Sequence, residues 1–325
     1  MTSSSRRQGG AALLMAMLTV TLVATFAAAA MWQQWRSVEV EQAERVRVQS
    51  AWILTGALDW ARLILREDNP AADYLSEPWA VPLEEARLST FLSAEKGVAT
   101  VSSGDDTMDA FLSGGIIDLQ SMLNVNNLLE GGKVSEAGMS SFGRLFELLG
   151  LPPAQLATLA ENLRFASDGS AQNQSSPMAP LMPQRVEQLV WLGLTPQTVA
   201  TLQPYITLLP GQQPVNLNTA SAEVIYASIA GLSMADAHRL VAARERSPFR
   251  ATGDFTRLVA GVDLTAFYHV GFRSSFFESR GRLRLGQLVV EERSVLQRAG
   301  PVVRALQRER GVIEAPPPGG ALPGR

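Results

Sequence analysis

Residues 11–32 read AALLMAMLTVTLVATFAAAAMW, 22 positions without a charged side chain. As one helix, at roughly 1.5 Å per residue, they span about 33 Å, enough for a hydrocarbon core of about 30 Å. Arg6 and Arg7 precede the run, while Arg36, Glu39, Glu41 and Glu44 beyond it mix signs. Basic flanks stay on the cytoplasmic side, so the first ten residues face the cytoplasm and the rest crosses. A cleaved secretory signal is the competing reading, because the alanines at 27–30 offer small residues for a peptidase. Such signals have an apolar part of about 7–15 residues. This run is longer, and it directly abuts Gly9-Gly10.

Beyond the membrane, Val46, Ile53, Ala57, Trp60, Ala61 and Ile64 keep to one helix face. Asn69-Pro70 ends the pattern, since proline disfavours helix at the residue before it. The prediction is one helix from 11 to about 68, its second half packed on a soluble domain with Trp52 and Trp60 in the core. Glu77-Pro78-Trp79-Ala80 and the polar residues 102–106 read as loops, and GIIDL at 115–119 as a short buried strand. Asn124-Val125-Asn126 and Asn216-Leu217-Asn218 form a weak repeat. Each opens a helical stretch, where an Asn side chain can accept first-turn N–H groups. Helical patterns lie at 136–149, 153–165, 183–192 and 195–203, separated by Gly150, Pro152-Pro153 and a polar loop at 167–180. From Phe272 the period becomes two. Arg282-Leu283-Arg284-Leu285, residues 288–293 and Val302-Val303 predict two or three antiparallel strands. The Pro- and Gly-rich tail from Gly311 is expected to be disordered.

Residues 214–256 predict helix, tight turn, helix. Thr219 is the expected cap of a first helix through Ile229, closed by Gly231. Ser233 with Asp236 opens a second helix to about Arg246, where Pro248 stops it, and Asp254 is the expected cap of a short third. A phosphate-binding hairpin uses a Gly-hydrophobic-Gly turn, but here the turn is Gly231-Leu232-Ser233. Arg239, Arg244, Arg246 and Arg250 are matched one for one by Glu223, Asp236, Glu245 and Asp254, which leaves no basic surplus for DNA.

Composition excludes more chemistry than it suggests. The 325 residues carry 28 basic and 31 acidic side chains, a net of −3, so the surface as a whole is not built for polyanions. With no cysteine, disulfides and thiolate metal sites are excluded. His238 and His269 are the only histidines, and Asp236 and His238, two apart, do not share a helix face. Glu84-Glu85 and Asp105-Asp106 read as solvated loop charges. The segment from Gly231 to Ala235 lacks the final glycine of a nucleophile elbow, and no phosphate-binding glycine motif occurs. No catalytic constellation emerges, no cofactor is expected, and the function points to assembly.

The basic leader, Gly9-Gly10 and the uncharged helix resemble the leader of the type IV prepilin and pseudopilin family. That resemblance implies cleavage by prepilin peptidase between Gly10 and Ala11 and N-methylation of Ala11. Most members carry Glu at the fifth mature position, where this chain has Met15. A carboxylate buried without a neighbour's ammonium is costly, so a subunit at a filament end loses nothing by having Met there. Gln49-Ser50-Ala51-Trp52, Pro78-Trp79-Ala80, Asn124-Val125-Asn126-Asn127-Leu128, Leu209-Pro210 and Val215-Asn216-Leu217-Asn218-Thr219-Ala220 follow in the order of the K-type minor pseudopilin of type II secretion systems, which the whole chain resembles.

The implied fold is α+β. It is a pilin-like long N-terminal helix packed on a small antiparallel sheet, with a large inserted all-α region of two helical, SAM-like domains. The implied division is a leader (1–10), a transmembrane half-helix (11–32), the pilin-like helix and first strands (33–119), and a first helical domain (120–210). A helix-hairpin-helix-like domain (211–271), the C-terminal strands (272–310) and a tail (311–325) follow. Implied partners are I- and J-type minor pseudopilins with an H-type beside them, the major pseudopilin and prepilin peptidase. The implied place is the inner membrane with the bulk in the periplasm, at the tip of the pseudopilus, where the protein initiates or caps assembly without contacting nucleic acid. Some members bind calcium in an acidic loop, but residues 161–174 hold only Glu161 and Asp168, so no metal is expected. The hairpin also resembles that of membrane-anchored DNA receptors of competence systems, the alternative reading.

Overall fold

The computed structural model describes residues 9–68, 71–88, 110–170, 173, 176, 179–259, 262, 269–286 and 288–314. Arg6, Arg7, Asn69-Pro70, the polar residues 102–106 with Asp105-Asp106, and the tail from 315 lie outside them. Two compact units divide the chain, Met1–Thr55 and Gly56–Arg325.

The first unit contains most of helix α1 (Gly9–Glu67). Its apolar window has a mean hydropathy of 2.2 and none of it is buried, as a lipid-facing helix requires. The hydroxyls of Thr19, Thr21 and Thr25 donate back to the carbonyls of Ala16, Leu18 and Leu22, so the polar interruptions bring no unpaired donor into lipid. Past the apolar run, Arg45 pairs with Glu41 and Arg47 with Glu44, one helical turn apart.

In the second unit the last turns of α1 bury Leu58, Ala61 and Leu65, spaced three and four apart. Trp60, expected in the core, is 37% exposed, because one residue rotates about 100° around the helix and carries it off this stripe. Trp52 is 74% exposed, which likewise corrects the core reading. Five strands form one antiparallel sheet: β1 (Leu83–Arg87), β2 (Ala110–Asp118), β3 (Phe276–Leu285), β4 (Leu288–Ala299) and β5 (Val302–Glu314), in that spatial order. Gly286 and Gly300, at φ +58° each, open the turns of the β3–β4 and β4–β5 hairpins, where a side chain would be strained. One face of the sheet presents Ile116, Phe277, Leu296 and Val303 to Leu58, Ala61 and Leu65. Trp79 packs edge-on against Phe277 at 5.2 Å.

Several local expectations change. The first four residues of GIIDL are the end of a nine-residue strand, and Leu119 opens a 3-10 turn. Glu84-Glu85 lie on β1 rather than in a loop, and Glu85 pairs with Arg284 on β3. Pro78–Ala80 is a 3-10 turn with Trp79 buried, since the Glu77 carboxylate accepts its indole N–H at 2.7 Å. The final strand continues through Gly311 to Glu314, past the expected start of the tail, because Val312 and Ile313 pair with Val290 and Val289.

Between β2 and β3 the chain leaves the sheet to build a helical head. Its helices are α2 (Glu136–Leu148), α3 (Pro153–Ser167), α4 (Pro196–Leu202), α5 (Ala222–Ser228), α6 (Met234–Arg246) and α7 (Thr252–Thr256), with a 3-10 helix at Val186–Leu192. A single apolar core, from Leu123 to Val270, runs through both halves of the head. Ser221 rather than Thr219 caps α5, for Thr219 is turned inward to a buried carboxylate. Asp254 sits inside the first turn of α7, accepting the N–H groups of Arg250 and Ala251, and is not the cap itself. Ser233 and Asp236 do form the reciprocal box at the start of α6. Ser233→Ala is expected to loosen that start by about 1 kcal/mol. Faster amide exchange at Asp236, with the rest of the head unchanged, would show it.

Candidate functional site: the anchor helix and the buried joint of the head

At the anchor, Gly10 and Ala11 lie inside the first turns of α1, and Met15 is 67% exposed on the same apolar helix. The helix therefore runs across the residues expected to be cut, and an apolar side chain, Met15, stands at the fifth position after Gly10.

The head joins the sheet through a polar cluster that local sequence reading missed. Asp118, the last residue of β2, is fully buried. Its Oδ1 accepts the N–H of Gln120 at 2.8 Å. Its Oδ2 accepts the hydroxyls of Thr219 and Ser274 at 2.6 Å each and the amide Nδ2 of Asn216 at 3.1 Å. Asn216 also donates to Ser274 Oγ and to the carbonyl of Asp73. Three segments far apart in sequence thus meet on one carboxylate. Burial pushes the Asp118 carboxyl up to about 6, against the opposing pull of its donors.

Beside it, Arg298 of β4 reaches two carboxylates. It pairs with Asp68 at 2.9 Å and with Asp73, and it donates to the carbonyl of Ser274. Asp73 Oδ2 accepts the N–H of Ser274 at 2.7 Å. Burial raises the carboxyls of Asp73 and Glu77, while Arg298 draws Asp73 back down. Asp68, Asp73 and Glu77 bring carboxylate oxygens within 4.8 Å of one another, and the Arg298 guanidinium is the cation on two of the three.

The two Asn-x-Asn segments work as backbone staples rather than as caps of α-helices. Leu123-Asn124 pairs in parallel with Ile206-Thr207, and Val215-Asn216 with Val270-Gly271, so each half of the head is clipped where it begins and ends. Asn124 accepts the N–H of Leu209, Asn127 exchanges both amide bonds with Gln213, and Asn218 does the same with Phe249. Asn124 opens a 3-10 turn, Val125–Leu128, in place of the expected helix. Arg244 is buried on the carbonyls of Leu217 and Ala220, and burial brings its guanidinium down to about 10. His238 is exposed on α6. In the stretch weighed for calcium, Glu161 pairs with Arg164 and Asp168 accepts the N–H of Ser170.

An uncharged anchor helix, an antiparallel sheet lined by that helix's last turns and a helical head inserted between two sheet strands define a pseudopilin-type subunit with an enlarged head. The family described as type II secretion system (T2SS), protein K, matches residues 121–211 and 215–269. A type II secretion system protein K of Pseudomonas aeruginosa (strain PAO1) is 26% identical over 334 residues, 94% of each chain. The fold is that of a crystal structure described as the GspK-GspI-GspJ complex from the type 2 secretion system of enterotoxigenic Escherichia coli. That likeness has a TM-score of 0.61 at 18% identity, over 83% of this chain and 98% of that one. Over nearly its whole length the chain is thus similar to proteins of the type II secretion protein K family, the K-type minor pseudopilins, and its N-terminal helix is long and apolar enough to cross a membrane. The DNA-receptor alternative is not favoured by these likenesses.

Proposed function

We propose that this minor pseudopilin stands at the tip of the type II secretion pseudopilus and initiates or caps its assembly. The observation that carries the reading is the head. It is built on a continuous core and fixed to the sheet by a buried joint, so it is a rigid mass in the path of any subunit added beyond it. Subunits add below such a head and not above it. I- and J-type minor pseudopilins are the proposed neighbours, supported by the complex named for the similar fold, with an H-type and the major pseudopilin below. The anchor lies in the inner membrane and the sheet and head in the periplasm, with no enzymatic step and no nucleic acid in the role. The division into a first helical domain (120–210) and a hairpin-like second one (211–271) is supported by the two separately matched segments, although one core serves both. Immunogold labelling of purified filaments is expected to mark their ends only. Labelling along the shaft would refute the capping role.

The leader carries its own prediction. Prepilin peptidase cuts after Gly10, Ala11 becomes N-methylated, and Met15 stands without the usual carboxylate because no subunit above presents an ammonium. Gly10→Val is expected to leave a precursor longer by the whole leader, read as the intact mass of the chain in membranes. A mature N-terminus beyond the alanines at 27–30 would instead mean a cleaved secretory signal.

A further inference from the structure

Where the uncharged run of α1 ends, Trp32, Trp35, Arg36 and Glu39 fall at i, i+3, i+4 and i+7 and so share one helix face. Both indoles are exposed, at 65% and 56%, and their ring centroids lie 5.5 Å apart. Trp32 and Arg36 also line one shallow groove along the helix. A hydrocarbon core of about 30 Å that begins at Ala11 ends next to Trp32, at roughly 1.5 Å per residue. The rings therefore stand where acyl chains give way to headgroups, the depth that favours tryptophan. Arg36 lies about 6 Å further along the axis than Trp32, and Glu39 about 10.5 Å.

Among the described residues neither Arg36 nor Glu39 forms an ion pair, and both side chains are exposed. The pairs that follow on the same helix, Glu41 with Arg45 and Glu44 with Arg47, put the acid before the base, the order that suits a helix. Arg36 and Glu39 run the other way, so the helix gives them little reason to pair with each other. A phospholipid headgroup matches their order. Leaving the membrane, it presents its phosphate first and, in an aminophospholipid, an ammonium beyond.

Resting on the reading of α1 as a retained anchor, we propose that Trp32, Trp35, Arg36 and Glu39 form a site for a zwitterionic aminophospholipid in the periplasmic leaflet. The indoles pack on the glycerol and upper acyl chain, Arg36 donates to the phosphate, and Glu39 accepts from the ammonium. An anionic headgroup without an amine is a poorer occupant, because Glu39, with Glu41 and Glu44 behind it, would face added negative charge. A second copy inserted at the same depth is poorer too, since it sets Arg36 against Arg36 and Glu39 against Glu39.

The test uses the full-length chain reconstituted in vesicles of phosphatidylethanolamine and phosphatidylglycerol in equal parts. Flotation with the vesicles reads anchoring, and native mass spectrometry of the chain released into mild detergent reads the lipids it keeps. The expected result is a chain that floats and keeps phosphatidylethanolamine about threefold or more over phosphatidylglycerol. Glu39→Gln should bring that ratio to about one, because it removes the ammonium's acceptor while Arg36 still holds either phosphate. Arg36→Gln should lower both adducts, and every variant should float as the parent does. A floating chain that keeps neither lipid, or both equally, would overturn the site and leave the anchor standing. Preference for phosphatidylglycerol, or a ratio unmoved by Glu39→Gln, would overturn recognition of the amine. A lipid-free dimer would overturn the site in favour of self-association. If the chain does not float, the proposal falls together with the anchor reading.

Discussion

Replacing Arg298 by methionine is expected to cost about 3–5 kcal/mol, the range for removing one member of a buried ion pair. The side chain is 5% exposed, Asp73 is not exposed at all, and Asp68 stays at 9%. Methionine fills the stem volume and packs on Phe277, over which the guanidinium now lies at 4.9 Å, so the loss is mainly the cation. Two carboxylates would then face each other in a site that already disfavours charge. The amide of Ser274, which donates to Asp73, reports on this corner directly. In the full chain in detergent its exchange protection should fall on the order of a hundredfold or more.

The pH dependence has a definite sign. Burial already holds the Asp73 carboxyl above its ordinary value, and without Arg298 it rises further. A carboxyl raised by folding favours the folded state when protonated, so the deficit of Arg298→Met shrinks as pH falls and is largest above that titration. Arg298→Lys returns the charge but cannot fork to two acids, and should recover only part of the protection. Unchanged protection at neutral pH in the methionine variant would show that the cluster does not hold the joint.

How much of this was legible follows from what each feature depends on. The anchor helix, the change of period at Phe272 and the hairpin around Gly231 are set by neighbours in sequence, and they lie where the pattern places them. The packing face of α1 was misread because two stripes overlap. Val46, Ile53, Ala57, Trp60 and Ile64 form one, but Leu58, Ala61 and Leu65 form another at equally helical spacing, and the large aromatic rings drew the choice the wrong way. Nothing local could reveal that the tryptophans remain open. The joint was harder still, since Asp73, Asp118, Asn216, Ser274 and Arg298 come from distant segments. A signal was nonetheless present. Asp118 follows two isoleucines, and Glu292 and Arg298 fall on the alternating positions that β4 turns inward with Leu296. A charge at a position patterned for the core asks for a partner. The Asn-x-Asn repeat had the right residues with the wrong role, because short polar side chains that cap helices also staple strands, and only the fold says which.

Asp118 gives the second large effect, and it separates the joint's electrostatics from its packing. Four donors converge on its carboxylate and no cation touches it. Burial is the stronger influence, raising the group from 3.8 to about 6. A raised carboxyl contributes stability that is full below its unfolded value and is lost as pH rises through the folded one. Between about pH 4 and pH 8 the joint should therefore loosen by up to roughly 3 kcal/mol, at 1.36 kcal/mol per unit. Global melting would blur this, because Asp236 and Asp254 at exposed helix starts are held low by their hydrogen bonds and act with the opposite sign. The amide of Gln120, bonded to Asp118 itself, is the clean reporter once intrinsic exchange rates are divided out. In Asp118→Asn the amide oxygen can keep the Gln120 N–H while the amide nitrogen takes the place of Oδ2, where the hydroxyls of Thr219 and Ser274 can turn to accept but Asn216 Nδ2 loses this acceptor. The slope of protection at Gln120 between about pH 4 and pH 8 should vanish, since the titrating group is gone. A slope that survived the substitution would place the titration elsewhere, with Asp73 and Glu77 the next carboxyls to examine.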